Sequence, residues 1–236
     1  MSCFPLNQLT LRSPPSNMVR LLLLFFFLSG ALLSAQADSA RFDANFRFAE
    51  GIYFSHASLL ANQPDLGWEA IDGEMVQLPE DFKVQIANYG YKDVRINQGI
   101  IPYAISLDGK PYFFVRHDQK RQFHEFTGLR VHGLLSTLQY DTTIQTRQLM
   151  KAYNPANGQP FRQAWVEREK TLRLHRILHL RSGARLPFTQ ENILKLCADD
   201  KDLTEALMKQ EKTEESLLLR AVRLYDDRHF LNLPLR

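Results

Sequence analysis

Residues 103–115 read Tyr103-Ala104-Ile105-Ser106-Leu107-Asp108-Gly109-Lys110-Pro111-Tyr112-Phe113-Phe114-Val115. Tyr103, Ile105 and Leu107 alternate with Ala104 and Ser106, and a second β-prone run begins at Tyr112. An Asp-Gly pair between two such runs is a strong hairpin signal, because a tight two-residue turn needs positive φ at both positions. Upstream, Gly51-Ile52-Tyr53-Phe54 is short, aromatic and β-prone. Ser55 can then cap a short helix over 56–61 that ends before Pro64. Downstream, Leu129, Val131 and Leu135 fall on one face of a run whose other face carries Arg130 and His132. Residues 38–150 therefore read as a β-rich region, an antiparallel sheet with one covered face.

Residues 151–188 read as a loop and a β-hairpin. Asn154-Pro155-Ala156-Asn157-Gly158-Gln159-Pro160 is turn-forming throughout, and marks either a boundary between two halves or the loop of a long hairpin. From Leu172 to Arg181 the period is two, with Leu172, Leu174, Leu178 and Leu180 on one face, interrupted by Arg176. The other face holds Arg173, His175, Ile177, His179 and Arg181, and Ser182-Gly183 turns the chain into Ala184-Arg185-Leu186. Residues 189–236 read as helical. Thr189 can cap a helix through Cys197, and Asp199 one running towards Glu211. Thr213, Glu214 and Glu215 precede a third, with acids at its positive end. Leu218, Val222 and Tyr225 lie at i, i+4 and i+7, a stripe expected to pack within the chain against the leucine face of 172–180. The fold class expected is α+β: an antiparallel sheet, then a strand hairpin with helices packed on it.

The N-terminus carries an address. Leu21–Leu33, LLLLFFFLSGALL, is a 13-residue apolar run behind Arg20 and ahead of Ala35-Gln36-Ala37. A basic start, a short apolar stretch and an A-x-A site describe a secretory signal peptide, too short to span a bilayer as a helix. Residues 1–37 read as that signal, with Met18 a better start than Met1 and 1–17 an extension. The expected product is exported, periplasmic or secreted, with no stable membrane span. Cleavage after Ala35 removes Arg12 and Arg20 and no acid, which turns 29 basic and 26 acidic side chains into 27 and 26, a net charge of +1. That balance gives no support to attraction for nucleic acid or anionic lipid over distance. Cys3 leaves with the leader, so the exported chain has no intrachain disulfide. Cys197, within Ile193-Leu194-Lys195-Leu196-Cys197, reads as a buried small side chain.

The segment GIYFSHASLLANQP at 51–64 resembles the opening of small secreted proteins of unknown function from Bacteroidetes-type bacteria, which run G-[IV]-Y-x-[ST]-F, an acidic–aromatic stretch and N-x-P. HLRSGARLPFTQENILKLCADDKDL, at 179–203, is similar to their ending of strand, S-G turn, strand, F-T cap and helix. Here His56-Ala57-Ser58-Leu59-Leu60 replaces the acidic–aromatic stretch. The resemblance implies export and a mixed α/β build, and no activity.

Candidate sites are sparse. His117, His124 and His132 sit on or beside consecutive strand segments, with Asp118 and Glu125 next to two of them. A His–carboxylate pair could serve as a general base in a hydrolase acting on envelope material. His175 and His179 are four apart, which on a strand separates them by roughly 13 Å, too far to share an ion, so a solvated strand face is expected. No metal or cofactor is implied. Between Arg162 and Arg185 seven basic residues face Glu167 and Glu169. This strip, with Arg173, Arg176 and Arg181 beside Trp165, is a candidate for binding a polyanion. No phosphate loop, nucleophile elbow or paired-cysteine motif occurs. The leading expectation is a non-enzymatic exported protein that binds an envelope protein or glycan through an aromatic-rich sheet.

Overall fold

The computed structural model describes residues 38–210 and 214–235, all within one compact unit, Asp38–Arg236. The leader and its cleavage site, and the Glu211 and Thr213 ends of the expected helices, lie outside the described residues.

The Asp108-Gly109 turn forms as expected, with φ of 54° and 71° and Leu107 opposite Lys110. It joins β5 (Ala104–Leu107) to β6 (Lys110–Asp118) in a curled, half-barrel sheet of antiparallel strands. The others are β2 (Gly51–Tyr53), β3 (Ile71–Leu78), β4 (Lys83–Tyr91), β7 (Phe123–Val131), β8 (Leu135–Tyr153), β9 (Pro160–His179) and β10 (Ala184–Pro187). The main path runs β10-β9-β8-β7-β6-β5-β2, with β3 joined through β4 to β7. β7 is the hub: Phe123–Thr127 lie between β4 and β6, and Leu129 and Val131 pair with β8. β1 (Ser39–Arg41) and β11 (Asn232–Pro234) pair the two ends of the described chain.

Four α-helices accompany the strands among the described residues: α1 (His56–Leu60), α2 (Gln190–Leu196), α3 (Lys201–Met208) and α4 (Glu215–Arg228). Ser55 caps α1 in a reciprocal arrangement with Ser58, and Thr189 caps α2 by accepting from Asn192 N. α3 is capped by Asp200, one residue later than expected. Asp200 is fixed there by Arg228 Nη1 at 2.7 Å, whereas the Asp199 carboxylate accepts from the Tyr225 hydroxyl.

Three expectations are corrected. The sheet is covered on both faces over β5–β7. Ala104, Phe113 and Leu129 enter one cluster with Phe42, Phe48 and Tyr53; Ile105, Tyr112 and Phe126 enter another with Ile52, Val84 and Ile86. Leu129, Val131 and Leu135 do not share one face of one strand: the register shift between Leu129 and Val131 sends Leu129 to the cluster of Phe42 and Phe113 and Val131 to that of Leu135, which follows a turn at 132–134 on the next strand. The helices pack on the opposite side from the one expected. Leu178 and Leu180 join the interior of the curl, while Ile177, Val131 and Leu135 meet Ile193, Leu207, Leu218, Val222 and Tyr225. The Leu218 stripe is thus buried within the chain, on the Ile177 face. Cys197 lies in this helical cluster, and burial, with Asp199 nearby, pushes its thiol up to about 12.

Asn154–Gln159 is a hairpin tip, not a boundary between halves: Asn154 N donates to Gln159 O, and Gly158, at φ 68°, completes the turn. β8 and β9 pair from Leu135↔His179 to Tyr153↔Pro160. Their inner ends are buried, but nearly every residue from 143 to 171 is exposed. At about 3.3 Å per residue these outer halves form a two-stranded arm that extends roughly 35 Å.

Candidate functional site

The expected histidines are partly assembled. β6 and β7 set His117 opposite His124, and the rings stack at 4.4 Å between centroids and 15° between planes. Ring nitrogens bind ions through lone pairs in the ring plane, and stacked rings aim those lone pairs side by side instead of at a common point. Burial, with His117 alongside, holds the His124 pKa below its ordinary value. His132 is elsewhere, beside the Phe42 ring and in a small cleft with Phe82, Tyr112 and Lys110.

The neighbouring carboxylates are committed otherwise. Glu125 follows His124 on the strand and so points to the opposite face. It is buried, where its Oε2 accepts from Gln85 Nε2 at 3.0 Å and lies 3.3 Å from Arg116 Nη2. Asp118 accepts from the backbone N–H groups of Lys120 and Arg121 and so closes the β6–β7 turn. Neither stacked imidazole has a hydrogen bond to a carboxylate among the described residues, so the geometry of a general base is not assembled there.

His175 and His179 do not form a solvated face. His175 stacks on Phe188 at 4.0 Å beneath the helices, with Nδ1 2.8 Å from Glu215 Oε1. Burial holds its pKa down against the pull of Glu215. His179 Nδ1 meets the Ser182 hydroxyl at 2.7 Å.

The basic strip is divided. Alternation along β9 sends Arg162, Arg168, Lys170 and Arg176 to one face and Arg173 to the other. Arg173 pairs with Asp141 at 3.2 Å, and Arg185 donates to the Phe114 carbonyl while its guanidinium lies over the Tyr103 and Phe113 rings. Arg181 lies past the end of β9, exposed. One continuous patch does not form.

Much of the sheet's aromatic content is internal. Phe42, Phe48, Tyr53, Tyr112, Phe113 and Phe126 are all buried. The body exposes scattered apolar side chains, Phe82 and Phe230 among them, and the arm carries a closely spaced set: Leu149 at 38%, Met150 at 43%, Tyr153 at 56%, Trp165 at 67% and Phe161 at 70%. Leu149 and Trp165 are cross-strand partners, and the register shift beyond Ala152↔Arg162 leaves Phe161 as the extra residue at the tip. An apolar collection of this kind on a two-stranded ribbon has no core of its own to enter. Of the candidates read from sequence only Trp165 belongs to it. The others were missed because they sit in a segment that reads as loop and indecisive polar chain.

Compared with known proteins, the chain has no matching family model, and neither a curated protein nor a solved structure matches it significantly.

Proposed function

We propose that this is an exported, non-enzymatic binding protein of the cell envelope whose contact element is the two-stranded arm. Export rests on the Arg20, Leu21–Leu33 and Ala35-Gln36-Ala37 pattern. The observation that carries the binding role is the exposed set Leu149, Met150, Tyr153, Phe161 and Trp165 on one ribbon, where Trp165 and Phe161 are the most exposed aromatics among the described residues. Rigid aromatic anchors with a basic rim are the composition that recognition surfaces favour.

Site-specific photocross-linking tests this reading. A photoreactive amino acid at position 165 should give an adduct with an envelope component in intact cells. The control position is Val94, exposed to 91% on the body and far along the chain from the arm. Equal labelling at 165 and 94, or recovery of the position-165 protein only from the cytoplasm, would overturn the proposal.

A further inference from the structure

The charge on the arm identifies the kind of partner. Between Asp141 and Glu167 the chain has no acidic residue, but it has Arg147, Lys151 and Arg162. Arg147 is held at the inner end, where Nε donates to Glu167 Oε1 at 2.9 Å. Neither Lys151 nor Arg162 has an ion-pair partner among the described residues, and both are exposed. By the register of the ladder Lys151 shares a face with Leu149 and Trp165, and Arg162 shares the opposite face with Met150. The distal arm therefore presents Trp, Tyr, Phe, Leu and Met side chains interleaved with free cations.

We infer that the end of the arm docks on an anionic lipid surface, with Tyr153, Phe161 and Trp165 at the headgroup boundary and Lys151 and Arg162 on the phosphates. This rests on the reading of the arm as the contact element. Trp and Tyr favour that boundary because one end of each ring system is apolar and the other can be hydrated. Long basic side chains favour it because their stems lie among apolar groups and their heads reach the phosphate layer. A second copy of this chain fits the same end less well, since two acid-free cationic ends repel when apposed. The chain's near-zero net charge is no obstacle, because an anionic surface acts over about a Debye length, short beside a 35 Å arm.

Tryptophan emission of the full chain reads this out at one site. The chain has two tryptophans, Trp68 and Trp165, so the signal of Trp165 is the difference between wild type and Trp165→Phe, a conservative change at an exposed position. Residues 1–37 contain no tryptophan, and lipid binding through their apolar run would show with neutral vesicles as well as anionic ones. With vesicles of phosphatidylglycerol and phosphatidylcholine in equal parts at low salt, the Trp165 signal should shift to the blue and become shielded from acrylamide. Phosphatidylcholine vesicles alone should leave it unchanged, and half-molar salt should reverse the shift. Lys151→Gln with Arg162→Gln should raise the lipid concentration needed for half the shift by roughly thirtyfold, about fivefold for each charge. No change with anionic vesicles, or an equal change with neutral ones, overturns the lipid assignment. In either case the position-165 cross-link decides separately whether the arm contacts something else. If shielding of Trp165 instead grows with protein concentration and without lipid, the partner is a second copy and the lipid assignment fails.

Discussion

β8 and β9 run through two regions of the molecule that treat the same two strands differently. At their inner ends Leu135, Ser136, Thr137 and Leu138 lie opposite His179, Leu178, Ile177 and Arg176, and most of these side chains are buried, some in the curl and some under the helices. From 143 to 153 and from 160 to 171 the pairing continues with only the shift at the tip, yet nearly every side chain is in water. Backbone pairing and burial are thus separable: a ladder can be propagated by hydrogen bonds and cross-strand pairs after the core has ended. Its outer half then lacks the apolar contacts that normally hold a two-stranded ribbon. Stability should accordingly depend on the body and recognition on the arm.

The largest expected contrast is between two phenylalanines. Phe113 is fully buried, its ring edge-on to Tyr103, while Phe161 on the arm is 70% exposed. Phe113→Ala should lower unfolding free energy by about 3–5 kcal/mol, and Phe161→Ala by no more than about 0.5 kcal/mol. Urea unfolding of both variants measures the difference, and comparable losses would dissolve the distinction between body and arm.

Next comes a charge inside the body. Asp226 on α4 is buried, its Oδ1 accepts from Leu135 N at 2.8 Å, and burial raises its pKa to about 7. Its Oδ2 lies against Gly133, where a Cβ would overlap it. The folded protein therefore holds this proton more tightly than the unfolded chain does. The stabilisation is complete below the ordinary carboxylate range and is lost as pH rises from about 4 through about 7. By linkage the loss is up to roughly 4 kcal/mol. Asp226→Asn keeps an acceptor for Leu135 and cannot ionise, so its advantage over wild type should grow from pH 5 to pH 8. The depressed histidines, His124 and His175 among them, act in the opposite direction, destabilising the fold as pH falls below their unfolded value. Because both proteins carry them, the difference between the two isolates Asp226. A gap independent of pH would show that the carboxyl is already ionised in the fold.

Leu218→Ala sharpens the same comparison within the helices. Leu218 is buried among Ile177, Leu207 and Val222. Its truncation should cost roughly 2–3 kcal/mol and leave the protein monomeric by sizing. Unchanged stability with lost self-association would mean that the stripe serves an interface.

What could be read from sequence was local. The Asp108-Gly109 turn and the Ser55 and Thr189 caps depend on residues two or three apart, and each is where the chain placed it. The helix-covered face was misread because only Ile177 marks it on β9. Its other apolar members, Val131 and Leu135, come from strands whose register no local pattern reveals. The arm was illegible for a related reason. Its alternation of Gln, Arg, Thr and Glu carries no apolar period, so pairing over its full length is invisible until the buried inner ends have fixed the register. Charge misled in a different way: a net of +3 averaged over the whole chain conceals an acid-free end.

The smallest expected effect is the most telling. Replacing 144–170 by Asn-Gly would join Thr143 to Thr171, residues already paired across the ladder. That places a two-residue turn between directly opposed partners, the geometry Asp108-Gly109 adopts between Leu107 and Lys110. The deletion removes few buried contacts. It removes the exposed Lys120–Glu169 and Arg147–Glu167 pairs at 3.0 and 2.9 Å, and such pairs contribute at most about 1 kcal/mol each. A shorter connection also lowers the entropy cost of closing the hairpin slightly, which offsets part of that loss. Unfolding free energy should therefore stay within about 1 kcal/mol of wild type, and the unfolding transition should remain single. The binding proposed for the arm should be abolished at the same time, and because the body is intact the loss would belong to the arm alone. A shortened protein that unfolds several kcal/mol more easily would instead make the arm part of the folding unit, and its exposed aromatics a consequence of the fold.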